Sequence, residues 1–323
     1  MKQIVAKVLT ALAFGLLASA LPRPVASAQT TTMKFVLAVP PGGPTDLLAR
    51  VLAEQISQKH GLSVIVENRP GGDNVVAAQA VAHALPDGNT ILINAPAFLI
   101  TPQLYKPPPY DPFHFEPICN LVGSPVVIAV NASSPYRTLA DLLDAARAKP
   151  GELTLASVGP GSPIRLGAEM LKKAADVDMI YVPFKGDGPT VTALLGGHVT
   201  AMLGNFAGMS GHISAGELRA LAVGSRTRIP ALPNVPTVAE SGFNDYEVSV
   251  WFGAVTRSGT PKEKIAQLGE WFTEALQVPD VTTKLAGQQL HSVISCGADY
   301  AKFLHSQYDA FGSIIRAANI SMQ

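Results

Sequence analysis

The feature that most constrains this chain is a junction that occurs twice. In VLAVPPGGPTDLLARVLAEQI (36–56) an apolar run breaks on prolines and glycines and opens at once into helical periodicity. SVIVENRPGGDNVVAAQAVA (63–82) repeats the arrangement. Leu48, Val51, Leu52 and Ile56 share one helical face, whereas Glu54, Gln55 and Lys59 do not. Alternating strand and helix predicts parallel strands joined by crossover helices, an α/β sheet.

The alternation continues along the chain. Strands are expected at 34–39, 63–67 and 90–94, with helices near 45–59 and 74–85. The proline-rich stretch 101–117 reads as a surface loop. A second series follows: helix 138–148, strand 153–157, helix 163–175, strand 179–183, helix 188–196, and strands 198–203 and 218–225. Helices near 261–276, 279–287 and 299–318 close the chain. Apolar runs near 122–130 and 219–224 are the expected crossings into an inserted second domain. The expected division is 29–125 with 226–323 as domain 1 and 126–225 as domain 2.

With 323 residues and 47% hydrophobic composition, the chain is long enough for two buried cores. Residues 1–28 read as a signal peptide: a basic start, an apolar run from Val8 to Leu21, and Ala26-Ser27-Ala28 as the cleavage site. Lys2, Lys7 and Arg23 fall in that segment, so 24 basic residues become 21 against 24 acidic ones. This balance gives no electrostatic footprint for nucleic acid or an anionic membrane. The expectation is an exported, soluble protein whose mature chain begins near Gln29, without a cofactor. Cys119 and Cys296 both survive cleavage, and two separate buried thiols are the expectation.

The glycine junctions carry a chemical consequence. The first N–H groups of a helix lack internal partners and carry partial positive charge. Glycines let an anion approach them, and in a parallel sheet these loops lie at the strands' carboxyl ends, where ligands bind. Pro41, Gly42, Gly43, Gly71 and Gly72 are therefore candidate ligand positions. Asp46 stands four residues before Arg50, a spacing that suits a structural ion pair. A third loop, ASVGPGSPIRLGAEM (156–170), brings Ser157, Gly161, Ser162 and Arg165 around a helix start. A fourth, VPFKGDGP (182–189), places Lys185 before another helix as a rim or structural residue. GxSxG, GxxxxGK[ST], CxxC and HExxH are all missing from the sequence, and no metal site is expected.

VPPGGPTDLLARVLAEQI, VIVENRPGG, ALPDGNTIL, KPGELTLASVGPGSPIRLGAEML, VPFKGDGPTVTALLGGHVTAML and VSVWFGAV stand in the order found in the Bug family. Over about 33–320 the chain resembles these periplasmic receptors of tripartite tricarboxylate transporters. The resemblance implies a two-domain type II periplasmic-binding-protein fold, with two hinge-crossing strands and a ligand cleft between domains. It implies a small carboxylate ligand (a di- or tricarboxylate, an amino acid or an aromatic acid), a monomeric receptor, and large and small membrane permease subunits as partners. Asp46, Asp73 and Asn205 join the loop residues above as ligand positions on that basis. The chain departs from the family pattern at Arg165, at Asp73-Asn74, at Asn89 and at Gly204, where an acidic residue is common. Arg165 together with the loss of that acid points to a ligand with more than one carboxylate, whereas Asp73 argues for an amine. The alternatives are an exported α/β hydrolase or transferase, or a sensor feeding a signalling kinase.

Overall fold

The computed structural model describes residues 32–159, 162–184 and 186–317, apart from the side chain of Asp73. The leader segment 1–28, Gly161 and Lys185 lie outside the described residues. Strands are β1 (Thr32–Leu37), β2 (Ser63–Asn68), β3 (Thr90–Asn94), β4 (Phe115–Asn131), β5 (Thr154–Val158), β6 (Ile180–Phe184), β7 (Ala201–Asn205), β8 (Leu218–Val223), β9 (Ser249–Arg257) and β10 (His291–Cys296). Helices are α1 (Pro44–His60), α2 (Val75–Ala82), α3 (Ala97–Leu104), α4 (Leu139–Ala148), α5 (Pro163–Ala175), α6 (Asp187–Leu195), α7 (Phe206–Ser214), α8 (Lys262–Leu276), α9 (Pro279–Ala286) and α10 (Ala298–Ala317).

The strands run in the order β2-β1-β3-β9-β4-β7-β5-β6, with β8 and β10 also paired to β4. The expected parallel pairing holds in two blocks, β2-β1-β3 and β6-β5-β7. Between them β9 and β4 run antiparallel to their neighbours. The 17-residue β4 belongs to both blocks: Phe115–Pro125 pair with β9, and Val126–Val130 pair with β7. The other crossing is not at 219–224 as expected. β8 stays beside Val127–Asn131 of β4, and the chain returns to the first block only through β9. Val238, Tyr246 and Val248, which precede β9, pack into the second block's core.

Each block is covered on both faces, as parallel sheets require. In the first, Phe35, Leu48, Leu52, Phe252 and Phe272 fill one side, and Val36, Phe98, Trp251 and Tyr300 fill the other. In the second, Ile128, Leu142, Leu171 and Leu203 oppose Val127, Leu194, Met202 and Met209. Leu166 of α5 departs from this division. It is fully buried in the first block's cluster with Trp251 and Leu304.

Two helices escaped the sequence pattern. α3 begins ahead of the predicted loop and contains Pro102, which lacks the N–H that would bond Phe98 O. The Tyr110 hydroxyl donates to that carbonyl instead, at 3.0 Å, so the buried acceptor is satisfied. α7 (FAGMSGHIS) is glycine-rich and short, and is held by burial of Phe206 and Met209. The strands β9 and β10 were likewise not expected as strands.

Cys119 and Cys296 form a disulfide, not the separate thiols expected. β10 lies antiparallel to β4 with the two cysteines in register, a pairing that counting cannot reveal. The bridge closes a separation of 177 residues and pins β10 to the first half of β4. A native disulfide typically contributes about 2–4 kcal/mol. The Cys119→Ala/Cys296→Ala double variant should therefore unfold at a clearly lower urea concentration; an unchanged midpoint would show that the bridge contributes nothing.

Candidate functional site

The loops after β1 and β2 form one end of the first block. Gly43 is the N-cap of α1, in extended backbone, with Pro44 behind it and no side chain capping the helix. A Cβ added at Gly43 would meet nothing within 4 Å. The start of a 17-residue helix, with its positive dipole end, thus faces open space. Pro41 and Gly42 are exposed beside it. Gly42 adopts φ +97°, a conformation that favours glycine.

One buried carboxylate organises both loops. Asp46, 4% exposed, accepts from Gly42 N at 3.1 Å, Arg50 Nε at 2.8 Å, Arg50 Nη2 at 3.0 Å and Asn68 Nδ2 at 3.0 Å. Asn68 Nδ2 also reaches Val39 O at 3.1 Å, and Arg69 N donates to Leu37 O at 2.7 Å. These bonds hold the end of β2 against the end of β1. The Gly42 amide is consequently turned inward, and the donors left for a ligand belong to Gly43 and the first turn of α1. The Arg50 guanidinium foremost, then Asn68 and Gly42, hold the Asp46 carboxyl down to about 2 against the opposing effect of burial. In the second loop Gly71 (φ +133°) and Gly72 (φ +55°) are exposed, and α2 starts at Asn74 without a side-chain cap. The side chain of Asp73 lies outside the described residues.

The second block gathers the remaining candidates, in changed roles. Ser157 is fully buried, with Oγ 3.2 Å from Tyr181 Oη, whose hydroxyl donates to Val158 O at 3.1 Å. Ser162 is the N-cap of α5 and its Oγ accepts from Ile164 N at 3.1 Å. Arg165 is ion-paired with Glu169 and stacked on Tyr181, its guanidinium carbon 3.5 Å from the ring centroid. The positive charge of Arg165 is therefore paired within its own helix. Asn205 precedes α7, and its Nδ2 donates to Asp187 Oδ2 at 2.7 Å. Gly161 lies outside the described residues.

Two residues that the sequence did not single out, Asn68 and Asp187, are central to this arrangement. Asn68 ties the two P-G-G loops together, and Asp187 links the starts of α6 and α7. Neither stands in a motif that signals its partner. Concavities of about 1140 Å³ (between α5, residues 242–246 and α10) and about 880 Å³ (beside α8 and the disulfide) lie elsewhere. Neither is lined by the P-G-G loops or by the starts of α5, α6 and α7. No described cluster of three or more His, Cys, Asp or Glu has the arrangement of a metal site. Among the described residues no helix is long and apolar enough to cross a membrane.

Glycine-rich strand-end loops on two blocks that share crossing strands define the class, a solute receptor of the periplasmic-binding type. The family model for TctC, the tripartite tricarboxylate transporter family receptor, matches residues 48–320. Protein BugT of Bordetella pertussis is 31% identical over 294 residues, covering 90% of each chain. Rpa4515 of R. palustris, solved with adipate, is 30% identical with a TM-score of 0.75, over 91% of this chain and 99% of that one. MatC of Rhodopseudomonas palustris, solved with malate, is 26% identical with a TM-score of 0.72, over 91% and 100%. The chain belongs to the tripartite tricarboxylate transporter receptor family.

The Asp46 network makes a pH-dependent contribution. Its folded pKa is depressed from 3.8 to about 2, so the stabilisation is complete above pH ~4 and is lost as pH falls toward 2. Asp46→Asn should destabilise the protein by about 2 kcal/mol at pH 7, with the deficit shrinking at pH 3. Urea midpoints at the two pH values measure this; a deficit independent of pH would remove the carboxylate from the account.

Proposed function

We propose that this protein is a periplasmic receptor that captures a small carboxylate between the strand-end loops of its two blocks. The observation that carries the reading is the uncapped start of α1 at Gly43, set in open space and held in place by Asp46. A carboxylate satisfies orphan amides and the dipole together. Pro41, Gly43, Gly71 and Gly72 form the first wall of this site, with Gly42 and Asp46 fixing its shape, and Asp73 stands in the same loop. The second wall is the region of Gly161, Ser162 and Asn205, with Ser157 and Arg165 positioning it from behind. The adipate and malate of the two solved relatives are the chemistry this reading extends to the present chain.

The two blocks act as domains that close on the ligand, since a closed state gains contacts from both walls at once. Residues 29–125 and the C-terminal part form one domain, and 126–225 form the other with 226–248 packed on it. Receptor action requires no catalytic group, and the protein is read as a non-enzymatic, monomeric carrier that delivers its ligand to membrane permease subunits. Residues 1–28 direct export, so the intact mass of the exported protein should correspond to a chain beginning near Gln29. A full-length mass would refute cleavage there.

A thermal-shift series of mono-, di- and tricarboxylates, amino acids and aromatic acids tests the ligand class. A true ligand at 100 times its Kd stabilises by about 2.7 kcal/mol. Gly43→Leu has a specific signature, because Gly43 is in ordinary extended backbone with free space above it. The variant should lose carboxylate affinity by tenfold or more, while the free protein's melting temperature falls only by the few degrees that leucine at an N-cap costs. If only non-acidic compounds stabilise the wild type, or if Gly43→Leu binds normally, the site is elsewhere.

A further inference from the structure

The helix α5 carries one large apolar residue off its stripe. Ile164, Ala168, Leu171 and Ala175 recur at helical spacing and pack into the second block's core. Leu166 lies about 200° around the helix from Ile164. It is fully buried in the first block, in the cluster that holds Trp251, Leu304 and Ile315. The same turn is tied to the returning chain: Tyr246 Oη donates to Gly167 O at 3.2 Å, and a Cβ at Gly167 would lie 2.8 Å from the Val248 methyls. Leu166 N donates to Ser162 O at 3.3 Å, and Ser162 is the residue that caps the helix. The start of α5 is thus held to the second block by its stripe and to the first by one inserted side chain.

Beyond Leu166 a concavity of about 1140 Å³ opens between α5 and α10, lined by Met170, Lys173, Phe243, Ser313, Ile314 and Ala317. The helix is therefore gripped near its start and has room beside its far end. Drawing a fully buried leucine into water is costly, whereas turning it in place keeps its apolar contacts. Separation of the blocks at this point is resisted, and rotation about it is not. Resting on the closure read above, we propose that Leu166 is a positioning residue and the pivot of that closure. It keeps the start of α5, with Ser162, at a fixed place against the first block while the second block turns about it. The concavity behind it gives the far end of α5 space to swing.

Spin labels on Gln58→Cys of α1 and Ala140→Cys of α4, both exposed, report the motion of one block against the other. The two native cysteines are bonded to each other, so only the introduced ones take a label. Double electron–electron resonance on the free mature protein should give a distance distribution at least twice as broad in Leu166→Ala as with leucine present. Leu166→Val should fall between the two, and Leu166→Met, which refills the space, should keep the original breadth. Leu142→Ala removes an equally buried leucine from the second block's core alone, and should also keep it. An unchanged distribution in Leu166→Ala, or an equal broadening in Leu142→Ala, overturns the pivot. No ligand enters the measurement, so a failure here leaves carboxylate capture to the thermal-shift series, and a failure there leaves this anchor in place.

Discussion

The geometry of the strand-end loops of the first block depends on the carboxylate of Asp46. A P-G-G turn by itself has several accessible backbone paths, and two such turns on adjacent strands have no reason to agree. Asp46 removes that freedom because it accepts from the turn (Gly42), from its own helix (Arg50) and from the neighbouring strand end (Asn68). Charge-assisted hydrogen bonds of this kind are worth roughly twice neutral ones, and the low exposure of Asp46 keeps water from competing. The bonding also divides labour among the loop amides: Gly42 N–H is internal, which leaves Gly43 and the first turn of α1 as the donor surface. A preorganised donor set of this sort avoids the ordering entropy that a flexible glycine loop would lose on binding.

The strand β4 does for the whole molecule what Asp46 does for the loops. Its 17 residues are almost all buried, and they bond β9 and β10 in the first block and β7 and β8 in the second. The disulfide at Cys119 fixes the first part of that strand, while the transition between partners falls at Pro125–Val126. A proline is tolerated there because the ladder changes hands. Contact between the blocks is not confined to the strands, since Leu166 of α5 is sunk among Trp251, Leu304 and Ile315. The helix that begins at Pro163 is therefore anchored one turn later in the first block's core.

Much of this was legible in the sequence, and the reason is local. The P-G-G junctions, the apolar stripe of α1 and the parallel blocks follow from patterns confined to twenty residues. What stayed hidden depends on partners distant in the chain. The pairing of Cys119 with Cys296 requires the β4–β10 register. The helix α3 requires Tyr110 to satisfy the carbonyl that Pro102 abandons. The return crossing was assigned to 219–224 because that run is apolar, yet burial beside β4 makes a strand apolar whether or not it crosses. Arg165 read as a free cation because its fate depends on Glu169 and on the Tyr181 ring, which come together only when α5 packs on β6.

Glycine itself carries two meanings that a sequence does not separate. Gly42, Gly43 and Gly186 stand in open space, where the missing side chain leaves backbone exposed. Elsewhere the missing side chain is a socket filled from a distance. Gly253 receives the Tyr300 hydroxyl, and Gly167 receives Val248. Open glycines leave backbone exposed, whereas sockets serve packing, where close contact is the rule. Asp187 joins the two uses: a Cβ at Gly208 would lie 2.9 Å from its own Cβ, while its backbone begins a helix at open Gly186. The same residue type thus exposes backbone at one position and makes room for a distant side chain at the next, and only the surroundings tell the two apart.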